Sequence, residues 1–310
     1  MFQWYHDADI CYVYLQDLPP TGRREEAFQQ SVWFSRGWTL QELLAPAQVV
    51  FCDAHWEVFG EKHSMADKVA AITGIKRRYL TGRGLIHTAS VAAKMSWLSR
   101  RRTTRREDIA YCVLGIFGVN MPLLYGEGEK AFLRLQMEIL RKTADTSLFA
   151  WDLPESSYRD DTDILHPMLA TSPLGFVRSG DVIKGTGREL AYSITQRGIT
   201  FSTTQVSSAG PELEWDDDGS GFNELEVVVY DSKMSVRRLQ FQLDCRVEVG
   251  GQLHIPFVIL NSSEEARMIS GADWRRSNLL LRSLQEVRKR QTLSSNDTQL
   301  QTLTVWQPMP

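Results

Sequence analysis

The sequence contains no apolar run approaching the roughly 20 residues that a membrane-spanning helix needs, and its 310 residues include only four cysteines. Cys11, Cys52, Cys112 and Cys245 form no C-x-x-C pair. Zinc sites need ligands clustered at short spacing, so a structural metal site is not expected. Cys11 and Cys112 lie in the apolar runs DICYVYL and IAYCVLGIF and read as buried small hydrophobes, with a reducing compartment as the default. The first-half histidines His6, His55, His63 and His87 are scattered, with no H-x-x-x-H pair and no serine-elbow sequence. Neither a metalloprotease nor a hydrolase triad is supported. The opening MFQWYHDADICYVYLQDLPP places His6, Asp7 and Asp9 where a secretory leader would be basic and then apolar. No leader is expected, and the expected location is cytoplasmic.

What is present describes a globular chain: 43% of residues are hydrophobic and 24% charged, too apolar for disorder. The net charge of -3 neither demands nor excludes a nucleic-acid partner, but its distribution is uneven. Residues 1–150 hold 19 Lys and Arg against 16 Asp and Glu, and the remainder holds 16 against 22. A mildly basic first half and an acidic second half suit two units with different tasks, and 310 residues suffice for two domains.

Along the chain, CYVYL reads as a buried strand, followed by the surface loop LPPTGRREEAF leading into a helix. RGWTLQELLA reads as a short helix stopped before Pro46, because the residue before proline resists helical geometry. QVVFCD and HWEVFG follow as strands, giving a small α/β unit. SMADKVAAITGI, HTASVAAKMSWLSRR and GEKAFLRLQMEILRKT then carry helical periodicity. TTRREDIAYCVLGIFGV predicts one continuous helix, with Thr104 and Glu107 as a capping box and Gly118 as its stop. Near residue 150 the pattern changes. SYRDDTDIL reads as a linker and GPELEWDDDGSG as an exposed acidic loop. AYSITQRGITFST, ELEVVVYDS, VRRLQFQLDCRVEV and QLHIPFVIL read as an antiparallel sheet, a sandwich or an open barrel. SNLLLRSLQEVRKRQTLSSNDTQLQ is expected to be a late helix dissolving into a polar tail.

The chemistry-bearing candidate is SVWFSRGWTLQELLAP, residues 31–46. Trp38 and Glu42 stand four apart and share a helix face. A tryptophan beside a carboxylate can wall an acid, raising its pKa or aiming it at a bound sugar. Alternatively, Trp33, Phe34 and Trp38 fill a core while Glu42 pairs with Arg36 or Gln41. The arginine run SRRRTTRRED, with Arg100, Arg101, Arg102, Arg105 and Arg106, sets cations at a helix start, where they oppose the helix dipole. It reads as a solvated face with internal ion pairs, as an anion site, or as a nuclear-import patch. Interleaved aromatics are absent, so nucleic acid is an unlikely partner. LLYGEGEKAF lacks the phosphate-loop spacing and carries Glu127 and Glu129, so it reads as a tight turn in which Gly126 and Gly128 supply unusual dihedrals.

SVWFSRGWTLQELLAP resembles the R-x-W-T-x-Q-E signature of the fungal HET (heterokaryon incompatibility) domain. MFQWYHDADICYVYLQDL is similar to the stretch upstream of that signature, and MSWLSRRRTTRREDIAYCVLGIFGVNMPLLYGEGEKAFLRLQMEIL to the domain's C-terminal end. The strand-and-turn motifs with which such domains usually begin do not occur in this chain, so the resemblance covers roughly the second half of the domain, with Met1 expected to fall inside the fold. It implies an α+β protein: residues 1–150 as a partial α/β, TIR-like HET unit with a helical C-terminal part, and residues 151–310 as a β-rich domain with a polar tail. It also implies a role in fungal non-self recognition and incompatibility-triggered cell death. Some TIR domains cleave NAD with a glutamate four residues after an aromatic position, and WTLQE is similar to that arrangement. By that likeness Glu42 is the candidate catalytic carboxylate, Trp38 and Arg36 are the candidate ligand-binding residues, and NAD is a substrate with no cofactor required. Expected partners are other HET or sensor proteins, or a second copy of the chain, with no membrane. The alternative is a non-catalytic interaction module or an inactive shortened paralogue.

Overall fold

The computed structural model describes residues 1–82, 85–151, 167–185, 190–195, 198–203, 206–208, 229–231, 234–262, 275–283 and 301–305. The chain divides into two units, one of Met1–Thr143 with Thr171–Gly180 and the other of Ala144–Ala170 with Asp181–Pro310. Helices and small, largely antiparallel sheets make the whole an α+β chain, as expected.

The first unit opens with helix α1 (Phe2–Asp7) and strand β1 (Ile10–Tyr14). Helix α2 (Arg24–Gln30), a 3-10 turn at Val32–Ser35 and helix α3 (Thr39–Leu44) lead to strand β2 (Gln48–Cys52), which runs parallel to β1. Strand β3 (Val58–Glu61) returns antiparallel to β2, with a bulge between Phe51 and Cys52. The sheet order is β1-β2-β3, so β1 lies at an edge. The expectation of a buried β1 needs correction. Val13 is buried, but Ile10, Tyr12 and Tyr14 face solvent, the period-two pattern of a strand with only one covered face.

The covered face explains most of the aromatics in residues 31–46. Phe28 meets Phe34 at 5.1 Å, Phe51 at 5.2 Å and Phe59 at 5.0 Å, and Trp33 sets its edge on Phe34 at 5.1 Å. Such pairs each contribute about 0.5–1.5 kcal/mol beyond their burial. Trp33 and Phe34 are therefore core residues. At the far end of the sheet, the carboxylate of buried Asp53 accepts from the amides of His55 and Glu57 and pairs with Arg24 at 2.8 Å. This closes a turn in which exposed Trp56 takes φ 66° and stacks on Tyr14 at 4.8 Å.

Helices α4 (Ala66–Thr73), α5 (Arg77–Thr81) and α6 (Val91–Leu98) follow. Left-handed Gly74 ends α4 at the expected place, and the Ser90 hydroxyl caps α6 by accepting from the Ala93 amide. The expected single helix over TTRREDIAYCVLGIFGV is instead two short pieces, α7 (Asp108–Tyr111) and α8 (Leu114–Phe117). The Gln41 side chain donates to the Cys112 carbonyl at 2.6 Å, taking an acceptor that a continuous helix would use internally. The capping box does not form either. Glu107 turns its carboxylate to the amides of Gly126 and Gly128 at 2.8 and 3.0 Å. Those glycines do adopt positive φ, 103° and 61°, before the amphipathic helix α9 (Lys130–Lys142).

The second unit holds strands β4 (Val182–Lys184), β5 (Leu190–Thr195), β6 (Gly198–Thr203), β7 (Val206–Ser208), β8 (Val229–Asp231), β9 (Met234–Gln242), β10 (Cys245–Val249), β11 (Gln252–Ser262), β12 (Arg275–Ser283) and β13 (Gln301–Val305). One sheet runs β4-β10-β11-β9-β7, with β12 on β11 and β8 on β9; the other runs β13-β6-β5. All their pairings are antiparallel. Gly250 and Gly251 both take positive φ in the two-residue β10–β11 hairpin, the conformation such a turn requires. The expected late helix is corrected at its start, where residues 275–283 pair as β12; the stretch 284–300 lies outside the described residues, as do the linker at 157–165 and the acidic loop at 210–221.

Helix α1 buries no residue fully, yet it docks closely: a Cβ at Gly115 would lie 2.1 Å from the Phe2 Cβ. Gly115→Val is expected to release α1. Amide exchange over residues 2–7 should rise while the amides of β2 and α9 stay protected.

Candidate functional site

Most of the 31–46 signature is spent on holding one turn. The guanidinium of Arg101, 6% exposed, donates from Nε to the Trp97 carbonyl at 3.2 Å. Its Nη1 donates to the Arg36 carbonyl at 2.8 Å and to Thr39 Oγ1 at 2.9 Å. The Thr39 hydroxyl in turn donates to the Trp33 carbonyl at 2.6 Å. The backbone completes the seam, with Arg102 N–H on the Ser35 carbonyl at 2.7 Å and Gly37 N–H on the Arg102 carbonyl at 2.8 Å. Gly37 fits because it has no Cβ, which would stand 2.5 Å from Thr103 Cγ2. Burial pulls the Arg101 pKa down to about 10, with Cys112 and Glu42 acting in the opposite direction, so the group remains cationic at neutral pH. Its Nη2 has no hydrogen-bond partner among the described residues.

The arginine run is a solvated face with an ion pair, as expected, at every position but Arg101. Arg100, Arg102, Arg105 and Arg106 are exposed, and Arg101 is a core pin. Arg105 covers the Tyr125 ring at 4.6 Å and Arg106 reaches Glu129 at 3.8 Å.

Of the three candidate site residues, Glu42 and Trp38 are half-buried on the α3 side of the turn, and the Arg36 side chain is exposed. Glu42 pairs neither with Arg36 nor with Gln41. Its Oε1 accepts from the Tyr5 hydroxyl of α1 at 3.2 Å. Burial, reinforced by the Glu42 charge and that hydrogen bond, pushes the Tyr5 phenol up to about 12, so Tyr5 is a fixed donor at neutral pH. Burial also raises the Cys11 thiol, helped by Glu42 and opposed by Lys62. A carboxylate oriented by a phenol, beside a half-buried indole, can stabilise a developing cation or accept a proton from water.

The first unit also carries a half-open cavity of about 550 Å³, bounded by α1, the end of α3, α5, α6 and α8. Phe2 and His6 of α1 line it, while Tyr5 of the same helix holds Glu42; Trp38, Arg36 and Glu42 are not among its lining residues. Sequence reasoning identified neither Tyr5, Arg101 nor this cavity. Among the described residues no group of three His, Cys, Asp or Glu could hold a metal ion, and no helix is long and apolar enough to cross a membrane.

A second seam fixes the chain leading into α9. The Tyr111 hydroxyl accepts from the Leu124 amide at 2.8 Å and bonds Glu127 at 2.8 Å, and Arg134 pairs with Glu127 and donates to the Pro122 carbonyl. Burial, then the Glu127 hydrogen bond, lifts the Tyr111 phenol to about 12. Hydrogen bonds from backbone amides, those of Gly126 and Gly128 included, hold Glu107 below the ordinary carboxylate range.

Comparison with known proteins bears out the resemblance. The chain is 45% identical over 147 residues to the vegetative incompatibility protein HET-E-1 of Podospora anserina. That match takes in 45% of this chain and 11% of the relative, so the chain spans about a tenth of the protein it matches. Residues 130–176 match a family described as a domain of unknown function, DUF8212. No solved structure matches the chain.

Two outcomes follow. Arg101→Met should cost on the order of 3 kcal/mol by stranding buried carbonyls that a charged donor now serves, seen as a lower urea midpoint. Glu107→Gln should remove part of the acid dependence of stability. A carboxylate depressed in the folded state stabilises fully above its unfolded pKa, about 4.3, and that contribution is lost as pH falls through the folded value. Urea midpoints measured from pH 7 to pH 3 should therefore fall less steeply below about pH 4.3 in the variant.

Proposed function

We propose that this chain serves in heterokaryon incompatibility, the fungal discrimination of self from non-self that leads to cell death. The observation that carries the reading is the 45% identity over 147 residues to a protein named for vegetative incompatibility.

Within that role the reading centres on Glu42 and takes NAD as a substrate, with no cofactor required. Water attacks the ribosyl carbon as the bond to nicotinamide breaks, giving nicotinamide, ADP-ribose and a proton. Glu42 stabilises the cationic ribosyl state and accepts the proton from water; Trp38 walls the sugar or the nicotinamide, and Arg36 meets the phosphates. What supports this is the setting of Glu42: half-buried, one helical turn from Trp38, with the Tyr5 hydroxyl fixing its orientation. A TIR-like mode of action in the cytoplasm, alongside other HET or sensor proteins, completes the proposal.

A second reading, a non-catalytic association module, is favoured by the open side of the first sheet. Tyr12 is 59% exposed and Tyr14 40% on the edge strand β1, which has no further neighbour among the described residues, and Trp56, 62% exposed, stacks on Tyr14 from the β2–β3 turn. Such an edge invites pairing with another chain.

Incubation of the purified chain with NAD, followed by chromatography of nicotinamide, separates the two. The first reading expects nicotinamide release that falls at least about 100-fold in Glu42→Ala, with Tyr5→Phe intermediate. Intact NAD together with a light-scattering mass that rises with concentration would instead support the association module.

A further inference from the structure

The three-stranded sheet of the first unit has two edges, and the chain treats them differently. Strand β3 is four residues long, carries Gly60 and the charged Glu61, and meets β2 through a bulge. Such features keep an edge from pairing with another chain. Strand β1 has none of them. ICYVY contains no charge, proline or glycine, and its register against β2 runs unbroken from Ile10–Gln48 to Tyr14–Cys52. Among the described residues nothing bonds the β1 backbone on its other side.

The aromatic side chains at this edge are held in place. Tyr14 donates its hydroxyl to the Ala54 carbonyl at 3.2 Å and stacks on Trp56 at 4.8 Å, with 21° between the planes. Trp56 does so from φ 66°, a left-handed conformation that a bulky residue rarely adopts, in the turn closed by Asp53. An exposed pair fixed in this way loses little further freedom on meeting a partner.

A strand pairs with its own copy only if its sequence is compatible with itself in reverse. We infer that β1 pairs antiparallel with β1 of a second copy about a two-fold axis at Tyr12, joining two three-stranded sheets into one of six. That register sets Tyr12 against Tyr12, Cys11 against Val13, and Ile10 of each copy against Tyr14 of the other, so no two charges meet within the strand. Period two puts Ile10 and the tyrosines on the open face, where cross-strand aromatic and β-branched pairs are favourable. Tyr12, Tyr14 and Trp56 leave on the order of 300 Å² of aromatic surface per copy in water. Two copies together cover upward of about 600 Å² beside the new ladder, the scale of a weak, concentration-dependent association. The inference rests on the association reading above and names the partner as the chain itself.

The test uses the full chain. The light-scattering mass of the wild type is expected to rise from one chain toward two between about 1 and 200 μM. Tyr12→Lys, which sets two ammonium groups opposite each other at the axis, should weaken this at least about tenfold. Cysteine pairing in a Cys11→Ala background reads the register separately. Tyr12→Cys should form an intermolecular disulfide on mild oxidation, because the axis brings residue 12 opposite itself at about 4.5–5.5 Å between Cα atoms. Ile10→Cys and Tyr14→Cys should not cross-link alone but should do so when mixed. A mass that rises equally in the wild type and Tyr12→Lys, with no disulfide at position 12, overturns the edge pairing and leaves association through another surface. A mass that stays at one chain throughout overturns both.

Discussion

The first unit depends on one buried cation. Arg101 joins the end of α6 to the turn that begins α3, and it does so through neutral acceptors: the carbonyls of Trp97 and Arg36 and the hydroxyl of Thr39. A guanidinium tolerates this because its donors leave in fixed directions and its charge is weakly hydrated. Around it, two backbone hydrogen bonds and a glycine without room for a methyl group lock the same pair of segments. Helix α3 follows that lock directly, and α1 reaches it through the Tyr5 hydroxyl on Glu42.

This arrangement separates two roles within one short signature. Thr39 and Gln41 point inward and hold the chain, whereas Glu42 and Trp38 remain partly accessible on the same helix. The core account holds for Trp33 and Phe34, whereas Glu42 bonds Tyr5 rather than Arg36 or Gln41. Helix α1 thus orients Glu42 with one residue and lines the neighbouring cavity with Phe2 and His6.

Local rules were legible wherever the structure is decided locally. Gly74 and Gly118 end helices where the pattern places them, Pro46 follows α3, and the apolar spacing of α9 survives intact. Legibility failed where a distant partner intervenes. Glu107 has the spacing of a capping box with Thr104, but two amides some twenty residues downstream present a better donor pair. The one-helix expectation failed because Gln41 captures a carbonyl 71 positions away. Nothing in five neighbouring arginines distinguishes Arg101 from the others, since only the fold determines which of them meets three inward-facing acceptors. The cavity was invisible for the same reason: its walls come from α1, α5, α6 and α8, which meet only in space.

The bond from Gln41 to the Cys112 carbonyl has one more consequence. It ties the geometry of the α7–α8 break to a side chain on α3, so neither segment has an independent optimum. Sequence change in residues 35–42 and change in residues 101–118 will therefore combine non-additively. Because the acceptor is a main-chain carbonyl, the coupling runs through the path of the backbone at 112 and the identity of the side chain at 41.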